Sequence, residues 1–493
     1  MTNLMPATAT SPRLLLLTQF FPPDYAATGQ FVHALVKHFS HQGMDVKVFT
    51  GQPGYAYDSP LAPSWELLDG VAVHRTRVAR FWPQRIRGRA MGGVLFCLRS
   101  LLKLLHPSFR GELLLVTTEP PYLAVLAGLI NYWFGLPYLC VVYDIYPDVA
   151  VALGVMSEQH WLVRFWYWCN RQIWRRASAI VVLSDTMKKQ IVERCPEVAD
   201  KVTVIHSWAD PEQIYPRPKD RNWFALRYGL DQVFTVLYSG NMGRCHDIDT
   251  ILQAALELRD EPVQFVFIGS GPKRKDLMER VKAANLTRCL FLPYQDQDVL
   301  PFSLTACDLS LVSLVQGVEG MVAPSKLYGS LAAGCPVAAI CEPHSYLRSL
   351  LAEGAFGEAF DNGDGVGLAG FIRRLMANPD MGRQMGDRGR QFLLENFTPQ
   401  HCAQAYLEVV LKCLQQDPDG SAAPLTADPN LTGFPGNGVK AGETVYPATA
   451  LATQPTPHYG GQSYAAHEIA LPNADTTPLP CSGASHYLPK LSR

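Results

Sequence analysis

The sequence predicts an α/β protein made of two successive doubly wound domains, and two observations carry that prediction. Short runs of β-branched residues and leucine alternate with longer stretches of helical periodicity in the first part of the chain. The same alternation restarts after Pro211–Pro218, a segment with three prolines that is typical of a linker. Strands that alternate with helices favour a parallel sheet with helices on both faces. Because ligands of such sheets bind at the carboxyl ends of the strands, two facing domains predict a substrate cleft between them.

The first domain, predicted to span residues 1–212, has short and mostly apolar strands. They are predicted at Leu14–Thr18, Val46–Thr50, Leu113–Thr117, Tyr138–Val142, Ile180–Leu183 and Val202–Ile205, with helices at Gly29–Gln42, Met91–Leu105 and Leu123–Phe134. The uncharged stretch Tyr122–Tyr143 is long enough to span a membrane. Because Asn131 and Gly135–Pro137 interrupt it, a buried helix followed by a buried strand is the better interpretation.

The second domain, predicted to span residues 213–398, repeats this pattern. Its strands are predicted at Phe234–Tyr238, Gln264–Ile268, Leu290–Leu292, Leu309–Val312 and Val337–Ile340, and its helices at Thr250–Leu258, Arg274–Ala284, Lys326–Ala333 and Tyr346–Glu353. A helix over residues 399–416 follows, which can return to the first domain. In residues 417–493 Pro, Ala, Thr and Gly dominate and apolar periodicity vanishes, which predicts a disordered tail without an activity of its own.

Composition excludes several classes of protein. A formal net charge of -1 over 493 residues, with 18% charged and 48% hydrophobic residues, indicates a globular protein without general affinity for nucleic acid. The 12 cysteines are scattered without metal-ligand spacing, which favours reduced thiols in the cytoplasm over disulfides or zinc. The apolar run Leu14–Leu17 lacks a following small-residue cleavage site, so it is interpreted as a buried strand rather than a signal peptide.

Three strand-to-helix junctions contain glycine and are candidate anion sites. They are Ala27–Gln30 in the first domain and Ser239–Arg244 and Ile268–Pro272 in the second. Glycine lets a ligand approach the backbone, and the start of a helix favours negative charge. The alternative for the first junction is an ordinary tight turn, and the third lacks the last glycine of a dinucleotide fingerprint. The candidate binding residues are Gly29, Gly240, Asn241, Arg244, Gly269 and Gly271.

The most informative segment is Val318–Val337. A glycine-containing loop leads to Ser325, a candidate N-cap, and a short helix of small residues then ends at Gly334. Lys326 at the start of this helix is suited to neutralise a diphosphate, with Ser325 and Leu327 beside it as further binding residues. The alternative is a tightly packed helix that carries one surface lysine.

Several segments together resemble a known family. They are Val318–Val337, Ser239–Arg244, Ile268–Pro272, Phe291–Tyr294 and Ala306–Leu309, and they are similar to the family 4 glycosyltransferases, a large retaining family with the GT-B fold of two Rossmann-like domains facing a cleft. The resemblance covers Leu14 to about Val410. Within the family, Pro324–Gly329 and Tyr143–Asp148 look like the exopolysaccharide branch, including colanic-acid-type enzymes. The resemblance implies that the second domain binds a nucleotide-diphosphate sugar, with GDP or UDP favoured, and that the first domain binds the acceptor.

The sequence departs from the family pattern at its charged binding positions. Family 4 usually has two glutamates separated by seven residues, and the equivalent positions here are Met321 and Gly329. Glu319 is the candidate substitute for the first glutamate. The usual basic residues of the second-domain glycine loop are also replaced, and Arg244 is the candidate stand-in. A catalytically silent homologue that binds a glycan or a partner protein is therefore an alternative to an enzyme.

Candidate catalytic residues follow from the chemistry of sugar transfer. The leaving diphosphate must be stabilised, for which Lys326 and Arg244 are suited. The resemblance implies retention of the anomeric configuration without a required metal. Asp144, at the end of a first-domain strand, is the first candidate for orienting the acceptor hydroxyl, with a loop-capping role as the alternative. Asp148 is the second candidate, and Glu119 is a weaker one.

One acidic pair imitates a metal site. Asp247–Asp249 has the spacing that binds a metal in another glycosyltransferase fold. Because the pair directly precedes a predicted helix, capping of that helix is the favoured interpretation.

Two basic and aromatic stretches of the first domain predict contact with a membrane surface. Arg75–Arg110 contains nine Arg or Lys residues and no Asp or Glu, and includes Phe81–Trp82. Trp161–Arg176 carries four arginines among Phe165, Trp166, Tyr167, Trp168 and Trp174. Such compositions suit anionic lipid headgroups, and the alternative is a core helix whose arginines reach the surface. We therefore predict a glycosyltransferase, peripheral at the cytoplasmic face of the plasma membrane, that acts on a lipid-linked glycan. Another GT-B enzyme, such as a nucleotide-sugar epimerase, is a further alternative.

Overall fold

The protein folds into two α/β domains, each built around its own sheet. The structure is a computed structural model that describes residues 11–24, 26–53, 61–77 and 86–415. The predicted tail, residues 417–493, and the pair Phe81–Trp82 lie outside these ranges. Within the described ranges, no helix is both long and apolar enough to cross a membrane.

The first domain contains eight strands and six α-helices among its described residues. The strands are β1 (Arg13–Leu17), β2 (Asp45–Thr50), β3 (Trp65–Leu68), β4 (Val71–Arg75), β5 (Leu113–Thr117), β6 (Tyr138–Val142), β7 (Ala179–Val182) and β8 (Val202–Val204). The helices are α1 (Ala27–His41), α2 (Ile86–Leu104), α3 (Leu123–Phe134), α4 (Asp148–Ala152), α5 (Trp161–Arg176) and α6 (Asp185–Arg194). The sheet order is β3-β4-β2-β1-β5-β6-β7-β8, with an antiparallel pair at β3 and β4 and parallel pairs elsewhere. The order reverses between β1 and β5, where doubly wound sheets bind their ligands.

Both faces of the first sheet are buried. On β1, Leu14 and Leu16 pack in one core with residues of α1, whereas Leu15 and Leu17 pack in another core with residues of α3. Successive side chains of a strand point to opposite faces, so a continuous leucine run is the pattern of a strand covered on both sides.

The second domain has a six-stranded parallel sheet. Its strands are β9 (Phe234–Ser239), β10 (Val263–Ile268), β11 (Cys289–Leu292), β12 (Leu309–Ser313), β13 (Val337–Ile340) and β14 (Gly357–Phe360). Its helices are α7 (Trp223–Arg227), α8 (Asp249–Glu257), α9 (Arg274–Ala283), α10 (Leu300–Leu304), α11 (Lys326–Ala332), α12 (Tyr346–Gly354), α13 (Gly365–Ala377) and α14 (Pro379–Asn396). The sheet order is β11-β10-β9-β12-β13-β14, so the reversal falls between β9 and β12. The loops after these two strands are where a ligand is expected.

The last described helix, α15 (Pro399–Gln415), packs on the first domain although it follows the second in sequence. Its side chains Cys402, Tyr406 and Val410 share a core with Leu14 and Leu16 of β1. The chain therefore crosses back between the domains at its end.

The predicted elements agree closely with the structure in the buried parts of both sheets. The strands β5, β6 and β13 and the helix α3 have the predicted bounds. The uncharged stretch Tyr122–Tyr143 forms α3 followed by β6, so its interpretation as a buried helix and strand is confirmed. The sequence analysis missed β3, β4 and β14. Of these, β3 and β14 are short edge strands and β4 lies next to an edge.

Candidate active site between the two domains

The carboxyl ends of the two sheets meet through direct backbone contact. Ile145, after β6, donates its N–H to the carbonyl oxygen of Met321 at 2.8 Å. Its neighbour Asp144 forms an isolated antiparallel bridge with Val322. The loop that leads into α11 therefore lies against the first domain, as the predicted cleft requires.

Two of the predicted glycine loops pack on each other at the end of β9. Gly240 and Gly269 have φ angles of 127° and 128°, in the region that favours glycine. A Cβ on Gly269 would lie 2.2 Å from the Gly240 carbonyl oxygen, and one on Gly271 would lie 2.5 Å from the Met242 carbonyl oxygen. Loop packing therefore requires Gly269 and Gly271. Gly240 makes room for a side chain of the cleft, because its Cβ would lie 2.9 Å from Cε of Lys326.

Lys326 is partly buried, and its ammonium group lies beside a neutral histidine. Its Nζ lies 3.2 Å from Nε2 of His246 and 5.0 Å from the ring centroid of Tyr238. Nδ1 of His246 lies 2.9 Å from the carbonyl oxygen of Ser313, which only accepts, so Nδ1 donates and Nε2 is left to accept from the lysine. Burial lowers the pKa of Lys326 to about 7, and burial together with Lys326 lowers the pKa of His246 to about 3. Among the described residues, no carboxylate pairs with this ammonium group.

Two carboxyl groups of the first domain lie in a cavity opposite this lysine loop. The cavity has a volume of about 100 Å³ and is lined by Thr28, Phe31, Glu119, Tyr143, Asp144, Leu183, Ser207, Ala323 and Ser325. Burial raises the pKa of Asp144 to about 6. Burial and the Asp144 charge raise the pKa of Glu119 to about 8. The structure therefore brings the first catalytic candidate and the weaker candidate together, in contact with the second-domain loop.

Cys245 lies where the acidic and basic sides of the cleft approach each other. Its thiol pKa is raised to about 11, first by burial and then by Asp144, while Lys273 and Lys326 act in the opposite direction. The charges of Asp144 and Lys326 thus act on the same thiol group.

Glu319 has a role that the sequence analysis did not predict. Its Oε1 accepts a hydrogen bond from Oγ1 of Thr186, in the first domain, at 2.7 Å, and from the N–H of Tyr346 at 3.4 Å. The residue is buried and connects the two domains. Both of these hydrogen bonds use Oε1, and Oε2 of Glu319 has no hydrogen-bond partner among the described residues. The expectation that Glu319 substitutes for a family glutamate in ligand binding therefore stays a prediction.

Asp148 and Leu327 also lie outside the cleft. The Asp148 carboxylate is buried in an ion pair with Arg194, at 2.5 Å, and accepts a hydrogen bond from Gln190. The side chain of Leu327 is buried in the core of the second domain. Asp148 is thus corrected from a catalytic candidate to a structural ion pair, and Leu327 from a binding residue to a core residue.

Ser325 and Gly29 are placed near the cleft. Ser325 precedes α11 but makes no capping hydrogen bond, and it lines the cavity instead. Gly29 lies inside α1, where a Cβ would lie 3.2 Å from the backbone of Phe20 and Phe21. Gly29 therefore allows close packing of α1 on the preceding loop, and its role in ligand binding stays a prediction.

The remaining candidates follow β9. Arg244 is exposed in the loop after this strand. Asn241 accepts a hydrogen bond from Tyr238 through its carbonyl oxygen at 2.8 Å, and its side-chain oxygen would contact a Cβ on Gly271. Asn241 therefore shapes the loop that carries Arg244.

Asp247 caps α8, and Asp249 is the first residue of that helix. Asp247 accepts from the N–H of Thr250 at 3.0 Å and from Asn362, and Asp249 pairs with Arg280. The capping interpretation is confirmed. The described residues contain no group of three or more His, Cys, Asp or Glu side chains arranged to hold a metal ion.

The predicted membrane face divides into exposed and buried parts. On α5, Trp161, Phe165 and Trp168 are exposed, whereas Trp174 is in the core. Arg75 is buried in an ion pair with Glu66 and does not belong to the basic surface. The neighbouring helices extend the exposed apolar surface; its members are Met91, Val94, Leu98 and Leu102 on α2 and Tyr132, Trp133 and Phe134 on α3.

Sequence reasoning gave no role to two residues of the cleft. Thr28 hydrogen-bonds to Glu119, and His246 holds Lys326. A signal existed for both, because Thr28 directly precedes Gly29 in the first glycine junction, and His246 follows the second junction closely.

Comparison with known proteins identifies the class. Residues 27–208 match the glycosyl transferase 4-like domain, and residues 228–392 match glycosyl transferases group 1. The first match includes β2 to β8, and the second includes β9 to β14. The chain therefore belongs to the family 4 glycosyltransferases, and its two domains have the GT-B fold that the resemblance implied.

Individual relatives agree with this assignment. The probable glycosyltransferase WbjE from Pseudomonas aeruginosa is 28% identical over 297 residues, which are 59% of this chain and 72% of WbjE. The putative colanic acid biosynthesis glycosyl transferase WcaI from Escherichia coli (strain K12) is 23% identical over 349 residues, 67% of this chain and 83% of WcaI. Among solved structures, HepE from Anabaena, in complex with UDP and glucose, has a TM-score of 0.63 and 15% identity over 81% of this chain and 99% of HepE. At 15% identity, the similarity to HepE shows a shared fold.

Proposed function

We propose that this protein is a retaining glycosyltransferase that moves a sugar from a nucleotide-diphosphate donor to a lipid-linked glycan acceptor in exopolysaccharide or other cell-surface polysaccharide biosynthesis. The observation that carries the proposal is the buried Lys326 ammonium group, which no described carboxylate neutralises. A buried charge without a partner is costly, and an anionic ligand in the cleft removes that cost. The names of WbjE and WcaI support sugar transfer and the polysaccharide pathway.

The donor is a sugar linked to a nucleoside diphosphate, with UDP or GDP as the favoured nucleotides. Lys326 binds the diphosphate from one side, and Arg244, exposed on the loop after β9, can reach it from another. The complex of HepE with UDP and glucose supports this donor class. Neutralisation of the diphosphate makes it a better leaving group and lowers the barrier to breaking the sugar–phosphate bond.

The acceptor reaches the donor from the first domain. Asp144 lies at the end of β6, beside the loop that carries Lys326, and its pKa of about 6 leaves it ionised at neutral pH. An ionised carboxylate accepts a hydrogen bond from the acceptor hydroxyl and orients it. In a retaining transfer without a covalent intermediate, the hydroxyl attacks on the face that the diphosphate leaves, and the leaving phosphate takes the proton.

A thermal-shift screen of the purified chain against UDP, GDP, ADP, dTDP and their common sugars tests this function. A ligand at a hundred times its dissociation constant stabilises the native state by roughly 2.7 kcal/mol, which is easily detected. We expect one nucleotide to give a clear shift. No shift with any of them, and no donor hydrolysis or transfer, would favour the silent homologue, which the absence of the usual acidic residues at Met321 and Gly329 motivates.

The same proposal places the enzyme at the inner face of the plasma membrane. The exposed aromatic side chains of α5 lie beside the exposed Arg164 and Arg176. Two aromatic rings of α3 lie close to arginines from elsewhere in the domain. Arg110 lies 3.7 Å from the ring centroid of Phe134, and Arg176 lies 5.1 Å from the ring centroid of Tyr132. Apolar rings surrounded by arginines suit the interface of an anionic bilayer, where a lipid-linked acceptor is found.

Sedimentation with lipid vesicles tests this placement. The triple variant Trp161→Ser, Phe165→Ser, Trp168→Ser should bind vesicles of phosphatidylglycerol and phosphatidylcholine at least about tenfold more weakly than the wild type, because it loses the apolar contact. A matched control replaces three exposed apolar residues of the second domain, Leu226→Ser, Val366→Ser and Leu394→Ser. Equal binding by both triple variants would contradict the membrane surface.

A further inference from the structure

The acidic cavity contains a carboxyl group that the transfer mechanism does not use. Glu119 follows β5 and Asp144 follows β6, and both line the cavity of about 100 Å³ with Thr28 and Ser325. In the proposed mechanism Asp144 orients the acceptor hydroxyl, whereas Glu119 takes no part in the transfer. Glu119 shares this cavity with Ala323 and Ser325 of the second domain.

The backbone and one side of Glu119 are held firmly. Its carbonyl oxygen accepts from the N–H of Gln19 at 3.0 Å, and its own N–H donates to Oγ1 of Thr117 at 3.4 Å. The Thr28 hydroxyl hydrogen-bonds to the Glu119 carboxyl group. The Oε2 atom, in contrast, is shielded from solvent and has no hydrogen-bond partner among the described residues. A fixed carboxyl group with one unpaired oxygen next to a cavity is ready to bind a polar ligand.

We propose that Glu119 and Thr28 form a subsite that binds a sugar hydroxyl group in the cleft, next to Asp144. This inference rests on the proposed function, since it assumes a sugar substrate. The hydroxyl belongs either to the donor sugar or to the acceptor, because the cavity is lined by both domains.

The electrostatics of the cavity favour a hydroxyl group over a charged ligand. The titratable groups that act on Glu119 are Asp144 and Asp24, which raise its pKa, and it acts in turn on Tyr143. With a pKa of about 8, Glu119 is a neutral carboxylic acid at pH 7. A neutral carboxyl group both donates and accepts a hydrogen bond, as a hydroxyl group does. An anion would be repelled by Asp144.

Substrate affinities of three variants test the subsite. Glu119→Ala and Thr28→Val should lower the affinity for one substrate about tenfold and about threefold, the usual effect of losing such hydrogen bonds. Glu119→Gln should recover most of the affinity lost in Glu119→Ala, because the amide also donates and accepts. The matched control is Glu112→Ala, an exposed residue just before β5.

The measurements separate the two sources of the hydroxyl group. If it belongs to the donor, the variants bind the nucleotide diphosphate normally and its sugar conjugate weakly. If it belongs to the acceptor, donor hydrolysis is unchanged and the acceptor KM rises. In either case the wild type loses affinity above about pH 8 and Glu119→Gln does not. Unchanged affinities for both substrates in Glu119→Ala and Thr28→Val would overturn the subsite, whereas failure of the wild type to bind any nucleotide sugar would instead overturn the proposed function.

Discussion

The two sides of the cleft differ in how the chain assembles them. On the second-domain side, His246 lies in the loop after β9, and Lys326 begins α11 after the loop that follows the neighbouring strand β12. Both loops carry recognisable glycine patterns. On the first-domain side, Thr28, Glu119 and Asp144 come from three separate junctions without a shared motif. They meet because β1, β5 and β6 are neighbours in the sheet. A continuous motif can be recognised as a binding site in the sequence. A site whose residues are brought together by the strand order can be recognised only in the folded structure.

The two sides also differ in charge. The second-domain side presents a buried ammonium group without a described counter-ion, and the first-domain side presents buried carboxyl groups with raised pKa values. This division suits a substrate pair in which the donor carries a diphosphate and the acceptor carries hydroxyl groups.

The largest effect is expected at Asp144. Asp144→Asn should lower the rate of transfer by at least about 100-fold, because the amide accepts a weaker hydrogen bond from the acceptor hydroxyl. The affinity for the nucleotide diphosphate should stay within about threefold of the wild type. Steady-state kinetics and calorimetry measure the two quantities, and Asp200→Asn, at an exposed position, serves as the control.

The pH dependence sharpens this prediction. Protonation of Asp144 makes it a weaker hydrogen-bond acceptor than the carboxylate, so wild-type transfer should fall as the pH drops through about 6. Asp144→Asn should lack this acidic limb. If Asp144→Asn showed the same fall in transfer rate at acidic pH as the wild type, another residue would orient the acceptor hydroxyl. The first-domain side would then not have the role assigned to it.

A smaller effect is expected on stability at Glu119. The carboxyl pKa rises from about 4.5 in the unfolded chain to about 8 in the folded protein, so the folded state binds more protons between these values. Stability is therefore lost as the pH rises from about 5 to 8, at up to roughly 1.4 kcal/mol per pH unit from this group. Urea unfolding at pH 5 and pH 8 measures this loss. Between the two pH values, the free energy of unfolding should fall by roughly 2–4 kcal/mol less in Glu119→Gln than in the wild type. If the free energy of unfolding depended on pH in the same way in both proteins, Glu119 would not have a raised pKa in the folded state.

The smallest effect is expected at the contact between the domains. A double-mutant cycle with Thr186→Val and Glu319→Gln should give a coupling energy of about 1 kcal/mol, because the neutral amide accepts a weaker hydrogen bond from Thr186 than the carboxylate does. Nucleotide affinity should be unchanged in both single variants. Zero coupling, together with at least tenfold weaker donor binding in Glu319→Gln, would place Glu319 in the ligand site.

The fold was largely predictable because its central strands are buried on both faces. Continuous apolar runs gave β5 and β6 with correct bounds. The strand β3 was missed because its sequence, Trp65–Leu68, is half exposed and pairs in the antiparallel direction at the sheet edge. The edge strand β14 contains a glycine and a glutamate, and its periodicity is too weak to indicate a strand.

The candidate site was predictable only where the interactions are local. Lys326 was identified from its segment, but its partner His246 lies 80 residues away. The hydrogen bond between Glu319 and Thr186 was not predicted, because the two residues are 133 positions apart and a sequence does not show what a buried carboxylate contacts. The ion pair between Asp148 and Arg194 was missed for the same reason.

Nucleotide binding to Lys326→Met, measured by calorimetry with UDP, GDP, ADP and dTDP, tests the central claim most directly. The variant should bind the preferred nucleotide about 10- to 100-fold more weakly than the wild type and the exposed control Lys275→Met. Because the free Lys326 has a pKa of about 7, wild-type binding at pH 8 should take up a proton, detected as a difference between buffers of unlike ionisation enthalpy. Equal affinities and equal proton uptake in wild type and Lys326→Met would contradict a diphosphate site at this lysine.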